Sequence, residues 1–252
     1  MIASTTRNGA TIEQVEFEVP DAPPATGYLL GRRQNGPQPV VIGLHHARGD
    51  KATLLPDLEH LATRGFLCVA IDSPITRRAS AQRDPATASD SQFAIAQSAL
   101  NRLHSSSHVH ARRTALIGRG IGGEVAARLA THTQAVQAVV AVAVLPDRST
   151  FVQRSNHPLA AGIRLFNDET EVARQVGDLG SYKLTAHLAQ DSAAHWLLQV
   201  AEDDDRLSEQ DRATLTLGLP GAVRVERMEH GRDLWLQPAH RARVDFVSKV
   251  CG

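Results

Sequence analysis

The residues best able to do chemistry lie in a glycine-rich turn at 118–123, with the sequence GRGIGG. An apolar strand pattern precedes it and an alanine-rich helix pattern follows, so a sharp strand-to-helix turn is predicted. Two kinds of chemistry use such a turn. A G-x-G-x-x-G turn holds the pyrophosphate of a dinucleotide at a helix N-terminus. A G-x-Nu-x-G turn is a nucleophile elbow, in which position 120 would hold the attacking side chain.

The dinucleotide interpretation fits the letters of this turn but not its place in the chain. The fingerprint belongs to a first βαβ unit, whereas this turn follows roughly the fifth predicted strand. The acid that should bind a ribose about twenty residues later falls within the apolar run 139–145. The nucleophile elbow is therefore favoured, and under it Gly120 stands where serine normally stands.

An elbow requires an oxyanion-binding loop upstream, and then an acid and a histidine downstream in that order. The chain has candidates for all three. A buried strand pattern runs into the segment 45–50, with the sequence HHARGD. Two later strand patterns open onto the acidic segment 202–205 and onto His230. One predicted helix and one predicted strand fit between the acid and the histidine.

Short segments rich in β-branched residues alternate with longer amphipathic segments along the chain. This pattern predicts an α/β fold with a mostly parallel central sheet and helices on both faces. The predicted strands are 14–19, 26–32, 39–45, 66–71, 114–117, 135–145, 196–201 and 223–227. The predicted helices are 54–64, 93–103, 121–131, 208–217 and 238–250. The first two strands are expected to pair antiparallel, and 72–90 is expected to be a surface loop.

The rhythm of strands and helices is lost between 146 and 195, where proline and glycine break the pattern into short pieces. Within it, 169–176 and 182–190 are predicted to be helical. We therefore expect residues 1–252 to form a single domain with a small cap or irregular insertion at 146–195.

Composition excludes several classes of function. The 27 Lys+Arg balance 27 Asp+Glu, so no net charge would draw the protein to nucleic acid or to an anionic membrane. The longest apolar run, 139–145, is far shorter than the roughly 20 residues of a membrane-spanning helix.

Two cysteines give no disulfide framework, and the first ten residues lack the apolar stretch of a secretory signal, so a cytoplasmic location is expected. The basic residues are mostly arginine, which is typical of bacteria with GC-rich genomes.

The sequence resembles the α/β-hydrolase superfamily, and within it the dienelactone hydrolase-like and esterase-like branch. The resemblance covers nearly the whole chain. It is carried by GLHHARGDK, LATRGFLCVAIDSP, GRGIGGEVAARLA, VAEDDDRL and MEHGRDL, each at the carboxyl end of a predicted strand and in the order of the family. A single such motif is weak, but five in order make the α/β-hydrolase fold the expected one.

The resemblance also implies roles for individual residues. His230 would be the base and Asp204 the acid that orients it, with Asp203 in reserve and Asp205 a third acid in the same turn. The backbone N–H groups of Ala47 and Ile121 would form the oxyanion hole. A serine or cysteine would stand at position 120, where this chain has glycine.

Glycine at position 120 has a clear physical consequence. A non-glycine nucleophile sits in a strained backbone conformation that costs about 1–3 kcal/mol, and glycine relieves that strain. The turn should therefore survive while the attacking oxygen, and with it the acyl-enzyme, is lost.

The predicted function is acyl chemistry, the hydrolysis or transfer of an ester, thioester or lactone acyl group. The acyl substrate would be a small molecule or carried by a partner, in a bacterial biosynthetic enzyme that needs no cofactor. Glycine would then reflect either an inactivated serine enzyme or direct attack by water that His230 activates. The alternatives are a non-hydrolytic acid/base catalyst, for a cyclisation or elimination, and a catalytically silent binding protein.

Other side chains close to these motifs also have predicted roles. His46, Arg119 and Trp235 are expected to contact substrate, although Arg119 could instead pack on a loop and pair with an acid. No metal site is predicted at His45 and His46, because adjacent histidines on extended chain point in opposite directions and no further spacing suits zinc.

Two loop serines could in principle replace the missing nucleophile. Ser73 and Ser149 do not occupy an elbow, and a loop serine without a fixed base is usually a turn residue.

Overall fold

The computed structural model describes residues 4–7, 9–20, 22–31, 36–47, 49–72, 84–190, 194–217 and 223–252. The strands within them are β1 (Ser4–Arg7), β2 (Ala10–Val19), β3 (Ala22–Gly31), β4 (Gln38–Leu44), β5 (Leu67–Ile71), β6 (Val109–Arg119), β7 (Val136–Val142), β8 (His195–Ala201) and β9 (Val223–Met228). The helices are α1 (Leu55–Thr63), α2 (Pro85–His104), α3 (Ile121–Thr131), α4 (Arg148–Arg154), α5 (Pro158–Phe166), α6 (Glu169–Leu179), α7 (Leu184–Leu188), α8 (Glu209–Leu217) and α9 (Gln237–Cys251). Short 3-10 helices lie at Lys51–Leu54, Gly180–Tyr182 and Gly231–Trp235.

The described strands form one sheet in the order β1-β2-β3-β5-β4-β6-β7-β8-β9. The pairs β1–β2, β2–β3 and β3–β5 are antiparallel. The strands from β5 through β4 to β9 are parallel. The predicted mostly parallel sheet, with an antiparallel pair near its start, is confirmed.

Both faces of the parallel part are covered, which explains the composition of its strands. β7 has the sequence VQAVVAV, and its apolar side chains are buried on alternate faces in two separate hydrophobic clusters. One cluster packs against α1 and α9, and the other against α2, α3 and α7. A strand buried on both faces therefore appears in the sequence as a continuous apolar run.

The parallel arrangement determines where chemistry can occur. The carboxyl ends of β4, β6, β7, β8 and β9 point to the same edge of the sheet, because these strands run in one direction. The motifs that follow these strands are thereby gathered at that edge, which is where open α/β sheets bind ligands.

Two expectations about individual elements were wrong. β1 was not predicted, because its four residues carry no apolar run. The loop predicted for 72–90 ends early, since α2 already begins at Pro85. Asp84 caps this helix by accepting a hydrogen bond from the Thr87 backbone N–H at 3.0 Å, and a proline in the first turn is itself a helix-start signal. Residues 73–83, which include Ser73, lie outside the described part of the chain.

The segment predicted as a cap or insertion is mostly helical. It contains α4, α5, α6 and α7, and a small apolar cluster of Val152, Ile163 and Leu179 holds its first helices together. Arg148 of α4 forms an ion pair with the buried Glu124 of α3 at 2.7 Å between Nε and Oε2. The segment is thus fastened to the helix that follows the glycine-rich turn.

Across the described ranges, no helix combines the length and the apolar character that crossing a bilayer requires.

Candidate active site

The glycine-rich turn has the backbone of a nucleophile elbow. Gly120 lies between β6 and α3 with φ 52° and ψ −122°, a left-handed conformation that side chains rarely adopt. Its N–H donates a hydrogen bond to the carbonyl of Val142 at 2.8 Å, and its own carbonyl accepts from the N–H of Gly123 at 2.9 Å. The turn is therefore fixed against the end of β7 on one side and against α3 on the other.

The glycines of the turn serve different purposes. A Cβ at Gly118 would clash with the backbone of Gly122, and a Cβ at Gly122 would clash with the carbonyl of Leu44. At Gly120, the nearest described atom to an added Cβ is the Cβ of His46, at 3.3 Å. Close packing thus demands glycine at 118 and 122. At 120 the positive φ favours glycine, and a side chain there would also press on His46.

The two residues predicted to supply oxyanion-hole amides lie together. Ala47 packs against a small cluster that contains Ile121 and Ala88. Ile121 is the first residue of α3, so its N–H has no acceptor within the helix. The segment after β4 is a tight turn, in which the Gly49 N–H donates to the His46 carbonyl at 2.9 Å.

The adjacent histidines of this turn behave differently. His45 is buried, and its Nε2 lies 3.4 Å from a carboxylate oxygen of Asp72. His46 lies beside the elbow, as its contact with position 120 shows. Burial lowers the pKa of His46 below 6.5, and the positive charges of Arg119 and Arg206 contribute to this shift. In the described part of the chain, no group of three His, Cys, Asp or Glu could hold a metal ion.

An imidazole–carboxylate pair follows β8 and β9. His230 Nδ1 lies 3.2 Å from Asp203 Oδ2, and Asp203 Oδ1 accepts a hydrogen bond from the Gly231 N–H at 2.6 Å. The side chains of His230 and Asp203 are 41% and 50% exposed, so the pair is open to solvent. The other ring nitrogen of His230 lies 3.7 Å from a carboxylate oxygen of Glu229, which is itself largely exposed.

The expected pairing of His230 with Asp204 is therefore wrong in this structure, because Asp203 occupies that position. The Asp204 carboxylate accepts three hydrogen bonds from Arg206, at 3.1 Å from the backbone N–H and at 2.8 and 2.5 Å from the guanidinium. The backbone carbonyl of Asp204 accepts from Arg212 at 2.8 Å. Burial alone would raise the pKa of Asp204, but the hydrogen bonds and charge of Arg206 lower it. Asp205, the third acid, lies 3.4 Å from the imidazole of His157 at the start of α5.

Arg206 also stabilises an unusual backbone conformation beside the elbow. Ala143 follows β7 with φ 53°, which is rare for a residue with a side chain. Its carbonyl accepts a hydrogen bond from Arg206 at 3.1 Å, and its N–H donates to the Gln199 carbonyl at 2.9 Å. Nothing in the sequence at 143 signals this conformation, so neither Ala143 nor Arg206 was predicted.

A cavity of about 480 Å³ lies at this edge of the sheet. It is lined by Ala143, Ala201, Asp203, Asp204, Arg206, His230, Gly231, Arg232, Leu234 and Trp235. Gly120, Ile121, His46 and Ala47 are not among the lining residues. The connection to the elbow is indirect: Ala143 lines the cavity, and the preceding residue, Val142, accepts the hydrogen bond of the Gly120 N–H at 2.8 Å. A molecule bound here would thus lie between the imidazole and the end of β7.

Arg119 and Trp235, both expected to contact substrate, contact each other. The guanidinium carbon of Arg119 lies 4.6 Å from the centroid of the Trp235 ring. Arg119 also forms an ion pair with Asp57 at 2.8 Å, and its side chain is only 8% exposed. This is the alternative considered for Arg119, an arginine that packs and pairs with an acid. Trp235, which is 47% exposed, remains available to a ligand.

Ser149 lies in the first turn of α4 rather than in a loop. Its hydroxyl donates to Asp147, the residue that caps α4.

Taken together, the site has an imidazole held by a carboxylate, a cavity beside it, and a strand-to-helix turn that presents backbone N–H groups. Such an arrangement can move a proton and stabilise an oxyanion. With glycine at position 120, the elbow itself supplies no hydroxyl or thiol to form a covalent intermediate.

Comparison with known proteins places this site in context. Residues 3–155 match the family model of the FrsA-like esterases. No curated protein matches the chain.

Solved structures with a similar fold include acetyl xylan esterase from Paenibacillus sp. R4 (TM-score 0.72, 19% identity, covering 99% of this chain and 88% of that chain). Acetyl xylan esterase 1 from Thermoanaerobacterium sp. JW/SL YS485 is also similar (TM-score 0.72, 13% identity, covering 97% of this chain and 87% of that chain). The 2,6-dihydroxy-pseudo-oxynicotine hydrolase is similar as well (TM-score 0.73, 16% identity, covering 95% of this chain and 68% of that chain). At these identities the similarity establishes the α/β-hydrolase fold.

Proposed function

This chain belongs to the FrsA-like esterase family, and we propose that it hydrolyses an ester, thioester or lactone acyl group without forming an acyl-enzyme. The observation that carries the proposal is the His230–Asp203 pair, 3.2 Å apart, which lines a cavity at the sheet edge where the elbow, with glycine at its crest, also lies. The parts that handle protons and oxyanions remain in place. Only the covalent nucleophile is replaced, so the attacking group has to be water.

The geometry of Gly120 supports this choice of nucleophile. Among the described atoms, only the Cβ of His46 lies within 4 Å of a Cβ added at Gly120, at a tight 3.3 Å. With glycine there, we propose that a water molecule occupies the space into which a serine side chain would project. In the proposed step, the Nε2 atom of His230 takes a proton from this water. The water oxygen then bonds to the carbonyl carbon, and the carbonyl electron pair moves to the oxygen.

The remaining groups complete the reaction. The N–H groups of Ala47 and Ile121 bind the developing oxyanion, while Asp203 accepts a hydrogen bond from Nδ1 of His230 and stabilises the imidazolium. When the tetrahedral intermediate collapses, the bond to the alkoxide or thiolate breaks, and the imidazolium returns its proton to that leaving group. Trp235 and His46 are proposed to line the acyl-binding space.

The helical segment 146–195 is proposed to act as a cap within one domain. It contacts the catalytic edge at two points, through the ion pair of Arg148 with Glu124 and through His157, which lies 3.4 Å from Asp205 in the acid turn. A cap fastened at both the elbow helix and the acid turn would keep these two parts of the edge in a fixed relation to each other.

The test is an assay of aryl esters, acyl thioesters and lactones with the purified protein and two variants. We expect turnover without a burst phase, and His230→Ala should lower kcat by at least about 100-fold, because it removes the base. His110→Ala is the matched control, since His110 is exposed near the start of β6, at the opposite edge of the sheet. It should leave kcat unchanged.

Gly120→Ser separates the remaining explanations. A fluorophosphonate probe should label Gly120→Ser, whose serine lies in the elbow, and should not label the glycine protein. If the glycine protein turns over no substrate and only Gly120→Ser does, the protein is a hydrolase that lacks its nucleophile, and direct water attack is wrong. If neither is active, the proposal of acyl hydrolysis fails in favour of a binding protein or another acid/base reaction.

A further inference from the structure

The turn that carries the imidazole is fastened at its first residues by the acid. His230 directly precedes the 3-10 helix Gly231–Trp235 and is its N-cap residue. Asp203 contacts both the His230 ring and the Gly231 N–H. Since both side chains of the pair are about half exposed, these contacts alone would leave the far end of the turn free to move.

Two arginines hold the far end of the same turn. Arg243 of α9 donates a hydrogen bond from Nη1 to the carbonyl of Leu234 at 2.9 Å. Arg119 stacks on the ring of Trp235, with 4.6 Å between the guanidinium carbon and the ring centroid. The last two residues of the short helix are thus each held by one arginine.

A single buried carboxylate joins the two arginines. Asp57 of α1 receives Arg119 Nη2 at 2.8 Å on one oxygen and Arg243 Nε at 2.9 Å on the other. His240 Nδ1 lies 2.6 Å from the latter oxygen. Burial alone would raise the pKa of Asp57, but His240 and the two arginines hold it well below its usual range. The carboxylate is therefore charged, and its position fixes both guanidinium groups.

A buried cluster of this kind needs a reason other than stability. Removing charges from water offsets most of the attraction between them, so an apolar replacement of similar volume is often equally stable. What such a cluster does supply is fixed geometry, since Asp57 binds Arg119 through Nη2 and Arg243 through Nε and so sets the position of both guanidinium groups. Arg119 is also the residue immediately before Gly120, so the cluster connects the elbow to the imidazole turn.

We propose that Arg119 is a positioning residue, which holds Trp235 and with it the 3-10 helix so that His230 stays aligned between Asp203 and the elbow. This inference rests on the proposed function, for which it names the group that orders the base. A displacement of about 1 Å at a reacting group can cost on the order of 100-fold in rate, so a side chain that never touches substrate can still govern kcat.

The test uses Arg119→Leu, Trp235→Leu and the double variant, with Arg128→Leu as the matched control. Arg128 also stacks on aromatic rings, at 4.3 Å from Phe93, and also pairs with an acid, Asp90, but it does not contact the imidazole turn. Two readouts are measured for each protein. One is amide hydrogen exchange in the peptide that spans 230–236, and the other is kcat and KM for the best acyl substrate.

Arg119→Leu should speed exchange in 230–236 by about tenfold and lower kcat by about tenfold at unchanged KM, because the base is disordered while the cavity is intact. Exchange in 230–236 should be no faster in the double variant than in the faster single variant, and kcat no lower than in the slower one. Both single changes break the Arg119–Trp235 contact, and only Arg119→Leu also removes the ion pair with Asp57. Arg128→Leu should change neither exchange in 230–236 nor kcat.

Unchanged exchange in 230–236 for Arg119→Leu would overturn the inference, and so would additive losses in the double variant. If Arg119→Leu does not fold, Trp235→Leu breaks the same contact from its exposed side, and unchanged exchange there would be equally decisive. If no variant hydrolyses any substrate, the proposed function fails, but hydrogen exchange still decides whether Arg119 orders the turn.

Discussion

The elbow and the imidazole–carboxylate pair lie at the same edge of the sheet but are held in different ways. Backbone packed against backbone fixes the elbow, where an added Cβ at Gly118 or Gly122 would meet main-chain atoms. A few polar contacts fix the pair, and its side chains are 41% and 50% exposed. The shape of the elbow therefore does not depend on a nucleophile. The alignment of the imidazole, in contrast, depends on the few polar contacts that Asp203 makes with His230 and Gly231.

The largest expected effect is on the packing of the elbow. Gly118→Ala should lower the free energy of unfolding by about 3 kcal/mol, because its Cβ would overlap the backbone of Gly122 and the turn would have to open. Urea denaturation measures the loss. The control is Gly162→Ala in α5, where no described atom lies within 4 Å of the added Cβ, and a gain of up to about 1 kcal/mol is expected. Equal stability of the two variants would contradict the packing argument.

The next effect distinguishes the two aspartates. Asp203→Asn should lower kcat by about 100-fold with little loss of stability, because the imidazole loses its charged partner. Asp204→Asn should instead lower the free energy of unfolding by about 1–3 kcal/mol, because Arg206 loses its charged partner. Steady-state kinetics and urea denaturation of both variants provide the comparison. The opposite result, with Asp204 governing kcat, would restore the pairing that the sequence predicted.

A smaller effect should appear at the crest of the elbow. Gly120→Ala should cost about 1–2 kcal/mol in the free energy of unfolding, because of the positive φ and because the Cβ of His46, at 3.3 Å, has to shift only slightly. The proposed water would then compete with a methyl group, so kcat should fall as well. A loss as large as that of Gly118→Ala would mean that packing, rather than φ, requires glycine at 120.

The smallest effect is the pH dependence that His46 contributes. Its pKa is below 6.5 in the folded protein, so between that lower pKa and 6.5 the unfolded chain binds more protons than the folded one. Stability should therefore fall as the pH is lowered from about 6.5, and His46→Gln should flatten this part of the profile. Urea midpoints measured between about pH 5 and 7 test this. A profile as steep for His46→Gln as for the unchanged protein would contradict the shift.

Much of the fold follows from patterns that local physics imposes. The helix predicted for 121–131 matches α3 residue for residue, because an alanine-rich amphipathic segment follows a run of glycines. β4, β7 and β8 were found from apolar runs that only strands buried on both faces require. The start of α2 was missed because Pro85 was counted as a loop residue, although a proline after a capping aspartate begins a helix.

The candidate site was only partly predictable for a different reason. The order of the motifs placed Gly120, His230 and an acidic turn at one edge, since parallel strands bring their carboxyl ends together. The choice among neighbouring aspartates depends on how the turn after β8 rotates each side chain. Arg206 holds the Asp204 carboxylate, Arg212 holds the backbone carbonyl of the same residue, and neither contact has a signal in the sequence.

By itself, the sequence determined the α/β architecture, the elbow and the absence of a nucleophile at its crest, because these depend on residue type and on contacts close in the chain. The tertiary structure alone decided that Asp203 faces His230 and that Arg119 is buried against Asp57 and Trp235. The partners in these contacts lie 27 or more residues apart. Their meeting is set by the packing of α1, α9 and the sheet, which no local pattern specifies.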